Sequence, residues 1–187
     1  FLNDSWSIKG AKIIGVTNRN NREYVGSSVS VNAAGNVIAY GAPGWANPYT
    51  FSGQVKVYEW NEGDWTQRGQ SFEGEGLDQL GTSVKLNSDG TKILILSRFS
   101  AQVWEFNSSE WVQIGENISP NCYEEGSLYS NLYRATGDIS DDGSFIVIGT
   151  GCDGGIAFPY AWNGTSWVSE IENIYEGGES VSLSSNG

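Results

Sequence analysis

Histidine and methionine are both absent from the 187 residues, and cysteine occurs only twice. Without histidine there can be no Ser/His/Asp or Cys/His nucleophilic site, no His-ligated zinc, and no general base of the usual kind at neutral pH. Two cysteines are too few for a Cys-only zinc site or an iron-sulfur cluster. Basic residues are also scarce: 10 Lys and Arg stand against 22 Asp and Glu, a formal net charge of -12. Nucleic acid is therefore a poor partner, because phosphate binding needs a basic surface that releases counterions. Long apolar runs are missing as well. The longest, Ile93–Leu96 and Phe145–Ile148, are strand-sized, far below the ~20 residues of a membrane helix, so no membrane insertion is expected. Phe1 is not an initiator methionine, and a preceding segment is expected. Catalysis would have to run on carboxylates, Ser/Lys or Tyr. These exclusions lead to the expectation of a binding or structural protein with no catalytic residue, cofactor or metal.

What is present is a repeat. Hydrophobic residues at 39% make the chain globular, and self-similarity at a fixed period takes precedence over any local reading. Trp6, Trp65 and Trp111 are each followed four residues later by a glycine (Gly10, Gly69, Gly115) and seven later by an apolar residue (Ile13, Phe72, Ile118); Trp167 keeps the apolar position as Ile174. A second pattern runs from Gly26 through Val29, Val31 and Gly35 to Ile38. It recurs as Gly81, Val84, Leu86, Gly90 and Ile93, returns with changes around Gly137, Ile139 and Gly143, and begins again at Gly178. Its turn glycines, Gly35, Gly90, Gly143 and Gly187, are spaced 55, 53 and 44 residues apart.

All local signals within one period are β. An alternating run enters a turn whose glycine can take positive φ, and an apolar run leaves it, which is a hairpin signal. A third strand follows, closing on Asn61, Asn107 or Asn163, and a Trp four residues later opens a fourth. Four short strands per unit of about fifty residues is the signature of a propeller blade. The expected fold is an all-β propeller with blades of four antiparallel strands, about three complete and two partial, forming part of a larger ring. The expected division is 1–25, 26–80, 81–133, 134–177 and 178–187.

The strings Val25-Gly26-Ser27-Ser28-Val29 and Gly41-Ala42-Pro43 resemble an FG-GAP repeat, the blade unit of integrin α-subunits and of many secreted proteins. The resemblance implies a propeller, and an extracellular module of adhesion or protein-interaction type. It departs from the family at the calcium loop: Gly44–Tyr49, Ser97–Ser100 and Gly151–Gly154 lack the closely spaced carboxylates that calcium needs.

Candidate sites follow from what the repeat leaves over. Trp45, Tyr49 and Phe51 in one loop, with Tyr123, Tyr129 and Tyr133 in another, stand outside the repeating positions and are candidate ligand contacts. Acidic groups gather at Glu73, Glu75 and Asp78, at Glu124 and Glu125, and at Glu170, Glu172 and Glu176. A pair of carboxylates ~5–9 Å apart would suit glycoside hydrolysis, whereas solvated loop charges would only keep the protein soluble. Sequons occur at Asn3, Asn107, Asn117 and Asn163, with Asn107 and Asn163 sharing the hairpin between third and fourth strands. Cys122 and Cys152 are expected to pair in an oxidising compartment. The reading for function is therefore a non-catalytic, secreted glycoprotein propeller at the cell surface, whose partners are other chains or further blades. A lectin, or a carbohydrate-active enzyme working on paired carboxylates, is the alternative.

Overall fold

A computed structural model describes residues 7–15, 17–18, 21–46, 51–120, 135–151, 155–169, 174–175, 178 and 180–187. A short hairpin, β1 (Thr17–Asn18) and β2 (Asn21–Arg22), precedes three antiparallel sheets. The first is β3 (Ser28–Val31), β4 (Val37–Ala42), β5 (Gln54–Asn61) and β6 (Asp64–Gln67), with β7 (Phe72–Glu73) beside β5. The second is β8 (Ser83–Leu86), β9 (Lys92–Leu96), β10 (Ala101–Phe106) and β11 (Trp111–Gln113). The third is β12 (Thr136–Ile139), β13 (Phe145–Thr150), β14 (Ile156–Trp162) and β15 (Trp167–Val168), with β16 (Ile174–Tyr175) beside β14. These are three successive propeller blades in sequence order. The described residues contain no helix.

The core lies between blades. Val84 and Leu86 of β8 enter one cluster with Val37, Ala39, Val55 and Val57 of the first sheet. Leu94, Leu96 and Val103 of the second sheet form the next cluster with Ile139, Ile146 and Ile148 of the third. This explains why β9 reads Lys-Ile-Leu-Ile-Leu without alternation: both of its faces are covered, with Ile93 and Ile95 turned to one neighbour and Leu94 and Leu96 to the other. Each strand of this kind draws its stability from two neighbours at roughly 25 cal/mol per Å² of apolar surface removed from water.

Each seam is also stitched by polar groups at repeat positions. The N–H of Ala33 donates to the Ser88 carbonyl, that of Ser88 to Asp141, and that of Asp141 to Ser185. Asn32 and Asn87, both buried, fold their own hairpins through Oδ1 (to Val37 N–H and Lys92 N–H) and reach the next blade through Nδ2 (to Asp89 and Asp141 carbonyls). Ser140 replaces asparagine in the third turn, so its hydroxyl still accepts from Phe145 N–H but no amide reaches onward. At the blades' outer ends the Trp65, Trp111 and Trp167 indoles donate to the carbonyls of Lys9, Arg68 and Ile114, the residues three positions after the preceding Trp.

Candidate functional site

The first two seams differ at their outer ends, and the difference makes a groove. Where the first sheet meets the second, three alternate residues of the Trp box fill the space. The Arg68 guanidinium lies 4.3 Å from the Phe106 ring, and Phe72 packs edge-on to Trp104 at 5.1 Å. Between them the Gln70 side chain bonds the Trp111 backbone twice, its Nε2 donating to the carbonyl (2.6 Å) and its Oε1 accepting from the N–H (2.9 Å). Trp111 is consequently 2% exposed.

The equivalent positions where the second sheet meets the third are Ile114, Glu116 and Ile118, facing Tyr160 in place of Trp104. A carboxylate cannot donate to the Trp167 carbonyl as an amide does, and Ile and Tyr are smaller than Phe and Trp. The fill is incomplete, leaving a groove of about 370 Å³ lined by Gly115, Glu116, Asn117, Ile118, Ser119, Tyr160, Thr165, Ser166 and Trp167. The Trp167 ring, 5.3 Å from that of Trp162, forms one wall. Tyr160, half-buried, forms another, and burial pushes its phenol above the ordinary value, so it is a neutral hydroxyl at physiological pH. Gln113 Nε2 donates to Asn117 Oδ1 at 2.8 Å and fixes that amide at the rim. Among the described residues the lining therefore offers aromatic faces, hydroxyls, one amide and one carboxylate, with no cation.

Of the candidate residues singled out from sequence that the structure describes, none but Asn117 lies in this groove. Trp45 is half-buried in its own loop, where its N–H donates to the Ala42 carbonyl and its carbonyl accepts from Gly53 N–H. Phe51 is 42% exposed, and its carbonyl accepts from Gln79 N–H, joining this loop to the one before β8. Asp78 Oδ2 accepts from Glu75 N–H and Glu73 Oε1 accepts from Gln54 Nε2, so these acids hold loop and strand geometry. Asn107 and Asn163 are exposed in matching turns, each Oδ1 accepting from the N–H and hydroxyl of the sequon's third residue. Asn3, Tyr49, Cys122, Tyr123, Glu124, Glu125, Tyr129, Tyr133, Cys152, Glu170, Glu172 and Glu176 lie outside the described residues. Tyr160 and Glu116 were missed because the repeat draws attention to what recurs, while the groove is made by three positions that change.

No family profile matches the chain, and no curated protein matches it. Solved propellers do. Two proteins provisionally assigned as 6-phosphogluconolactonases match with TM-scores of 0.50: one from Bacteroides uniformis at 9% identity, covering 75% of this chain and 38% of its own, and one from Bacteroides fragilis at 12%, covering 80% and 39%. Hydrazine synthase from Kuenenia stuttgartiensis matches at 0.47 with 14% identity, covering 78% and 36%. The chain thus spans somewhat over a third of the structures it matches. At such identities the likeness establishes the propeller fold. It also corrects the reading of a non-catalytic, adhesion-type module: the two propellers matched at 0.50 carry the names of enzymes, and nothing in the comparisons supports adhesion. The physical reason is that blades are a scaffold on which unrelated chemistries are built. Among these 187 residues, which include no histidine, carboxylates are available as a general base.

Proposed function

We propose that this chain is part of a carbohydrate-active propeller enzyme, and that the groove between its second and third blades takes a neutral sugar-derived ring. The observation that carries this is the replacement of Gln70, Phe72 and Trp104 by Glu116, Ile118 and Tyr160, which opens one seam and lines it with the groups sugars bind. Aromatic faces stack on C–H surfaces, while Asn117, Ser119, Thr165 and Ser166 supply donors and acceptors for hydroxyls. A phosphorylated ring fits poorly, because Glu116, the one charged group among the described lining residues, would repel it.

Glu116 also directs the reaction class. Glycoside hydrolysis requires two carboxylates, and among the described residues the groove lining has one. One carboxylate is sufficient for hydrolysis of a sugar lactone: as general base it takes a proton from the water that attacks the carbonyl carbon, and as the ester C–O bond of the ring breaks it returns that proton to the departing ring oxygen, giving the open-chain hydroxy acid. The Trp167 N–H lies at the strand edge in the position where Trp111 meets Gln70, and is the donor we assign to the substrate's carbonyl oxygen. The finer sequence resemblance, to FG-GAP-like blades of an extracellular glycoprotein, is kept as part of this reading on the strength of its motifs and of the turn sequons.

The test is a pH-stat assay with glucono-1,5-lactone, together with calorimetric titration of methyl β-glucoside. Turnover above the spontaneous rate and saturable glucoside binding are expected, with Glu116→Ala losing turnover and Tyr160→Ala losing both. Background-rate hydrolysis with no saturable binding would remove the proposal.

A further inference from the structure

Asn107 and Asn163 hold the same place in their blades, yet they stand beside different seams. Each Oδ1 accepts from the N–H and hydroxyl of the sequon's third residue, Ser109 or Thr165. Beyond that residue the two turns diverge. Ser166 follows in the third blade where Glu110 follows in the second, and Asn163 Nδ2 donates to Ser166 Oγ at 3.2 Å. Thr165 and Ser166 both line the groove between the second and third blades, so the nitrogen to which a glycan is joined stands at the groove's rim. The seam beside Asn107 is filled instead, by Gln70 on the Trp111 backbone and Phe72 against Trp104.

A third sequon, at Asn117, shares the groove but not this geometry. Its Oδ1 accepts from Gln113 Nε2 in place of the sequon hydroxyl, and Pro120 restricts Ser119 to extended backbone. Asn117 is thus a lining amide. The other lining groups suit the ring that an Asn163 glycan brings to the rim. An N-acetylhexosamine is uncharged, so Glu116 does not repel it; Trp167 and Tyr160 offer faces to its C–H surface, and Asn117 and Ser119 offer hydrogen bonds to its hydroxyl and acetamido groups. Tethered by one side chain, such a ring meets the groove at an effective concentration on the order of millimolar or above.

On the sugar-binding reading of this groove, we infer that its ligand in the glycosylated protein is the chain's own glycan: the first N-acetylglucosamine on Asn163 lies against Trp167 and Tyr160 and closes the groove to free sugars. Attachment takes an oligosaccharide diphosphate as co-reactant. Asn163 Nδ2 gives up one proton to solvent and bonds the anomeric carbon, the bond from that carbon to the diphosphate oxygen breaks, and the diphosphate departs. The amide keeps its second N–H for Ser166.

The test uses native full-length protein, trimmed enzymatically to one N-acetylglucosamine per occupied asparagine. Proton NMR signals of the Asn163 sugar are expected upfield of those in the same glycopeptide after protease digestion, with Overhauser contacts to the Trp167 indole, while any sugar on Asn107 stays unshifted. Calorimetric titration with methyl β-glucoside should give a Kd about tenfold weaker for the trimmed protein than for Asn163→Gln, because the tethered ring competes. Native Asn163 without a glycan, or Asn163 sugar signals identical to the glycopeptide's, would overturn the inference even if Asn163→Gln binds the glucoside. Shifted signals with indole contacts, but no glucoside binding by Asn163→Gln, would support the glycan's seat and remove the neutral-sugar substrate instead.

Discussion

The Trp111 indole occupies the space in which a β-carbon on Gly69 would stand: the ring's Cδ1 lies 2.6 Å from that position. The same relationship ties Gly10 to the rings of Trp60 and Trp65 (2.7 and 2.9 Å) and Gly115 to those of Trp162 and Trp167 (2.9 and 3.0 Å). The W-x3-G spacing thus records a contact between blades: the glycine of one box is the seat of the next blade's tryptophan.

Substitution Gly69→Ala should therefore destabilise the protein through two separate causes. The glycine sits at φ 74°, a left-handed conformation that alanine adopts only under strain, and its new methyl group would press on a buried ring. Together these are expected to cost about 2–4 kcal/mol, read as a drop in thermal midpoint with a weakened near-ultraviolet signal from Trp111. A loss within experimental error would contradict the role given to this glycine.

Acid should loosen the protein at two identifiable carboxylates. Hydrogen bonds from the Ala11 and Trp65 N–H groups hold Asp64 below its ordinary value of 3.8, and those from Ser144 and Ser140 do the same for Asp142. A carboxyl that ionises more readily when folded adds stability above its unfolded pKa, and that stability is lost as pH falls through the lower, folded value. Unfolding followed at decreasing pH should show this loss only below about pH 4. The slope should be shallower in Asp64→Asn and Asp142→Asn. An unchanged slope in both variants would show that other groups control the acid transition.

Asn107 and Asn163 are expected to carry N-glycans if the protein passes through a secretory pathway. Both sit exposed in the matching turns between third and fourth strands, with the sequon hydroxyl already against the asparagine Oδ1 (3.0 and 2.9 Å). Peptide mapping of native material checks this directly, and two unmodified asparagines would count against an extracellular setting.

The architecture was legible because its signals repeat. The turn glycines, the Trp boxes and the unbroken apolar run Ile93–Leu96 each mark a blade covered on both faces, and the sheets follow those marks. The groove was not legible by the same logic. Its walls, Trp167 and Tyr160, sit at repeating positions and read as packing residues. Only a comparison of Arg68, Gln70 and Phe72 with Ile114, Glu116 and Ile118 shows that one seam is filled and the next is not. Selecting non-repeating aromatics led instead to Trp45, which is held within its own loop.

That comparison also gives a way to close the groove. The double variant Glu116→Gln and Ile118→Phe recreates at the second seam the pair that fills the first. The new amide can donate to the Trp167 carbonyl and accept from its N–H, as Gln70 does for Trp111, and the phenyl ring has about 370 Å³ to enter beside Tyr160. One neutral hydrogen bond gained at a strand edge, with added apolar burial, should stabilise the protein by about 1–2 kcal/mol. Methyl β-glucoside binding should disappear in the same variant. If the protein becomes more stable while still binding the sugar, the seam fills as argued but the ligand site lies elsewhere; if it is destabilised, the equivalence of the two seams is wrong.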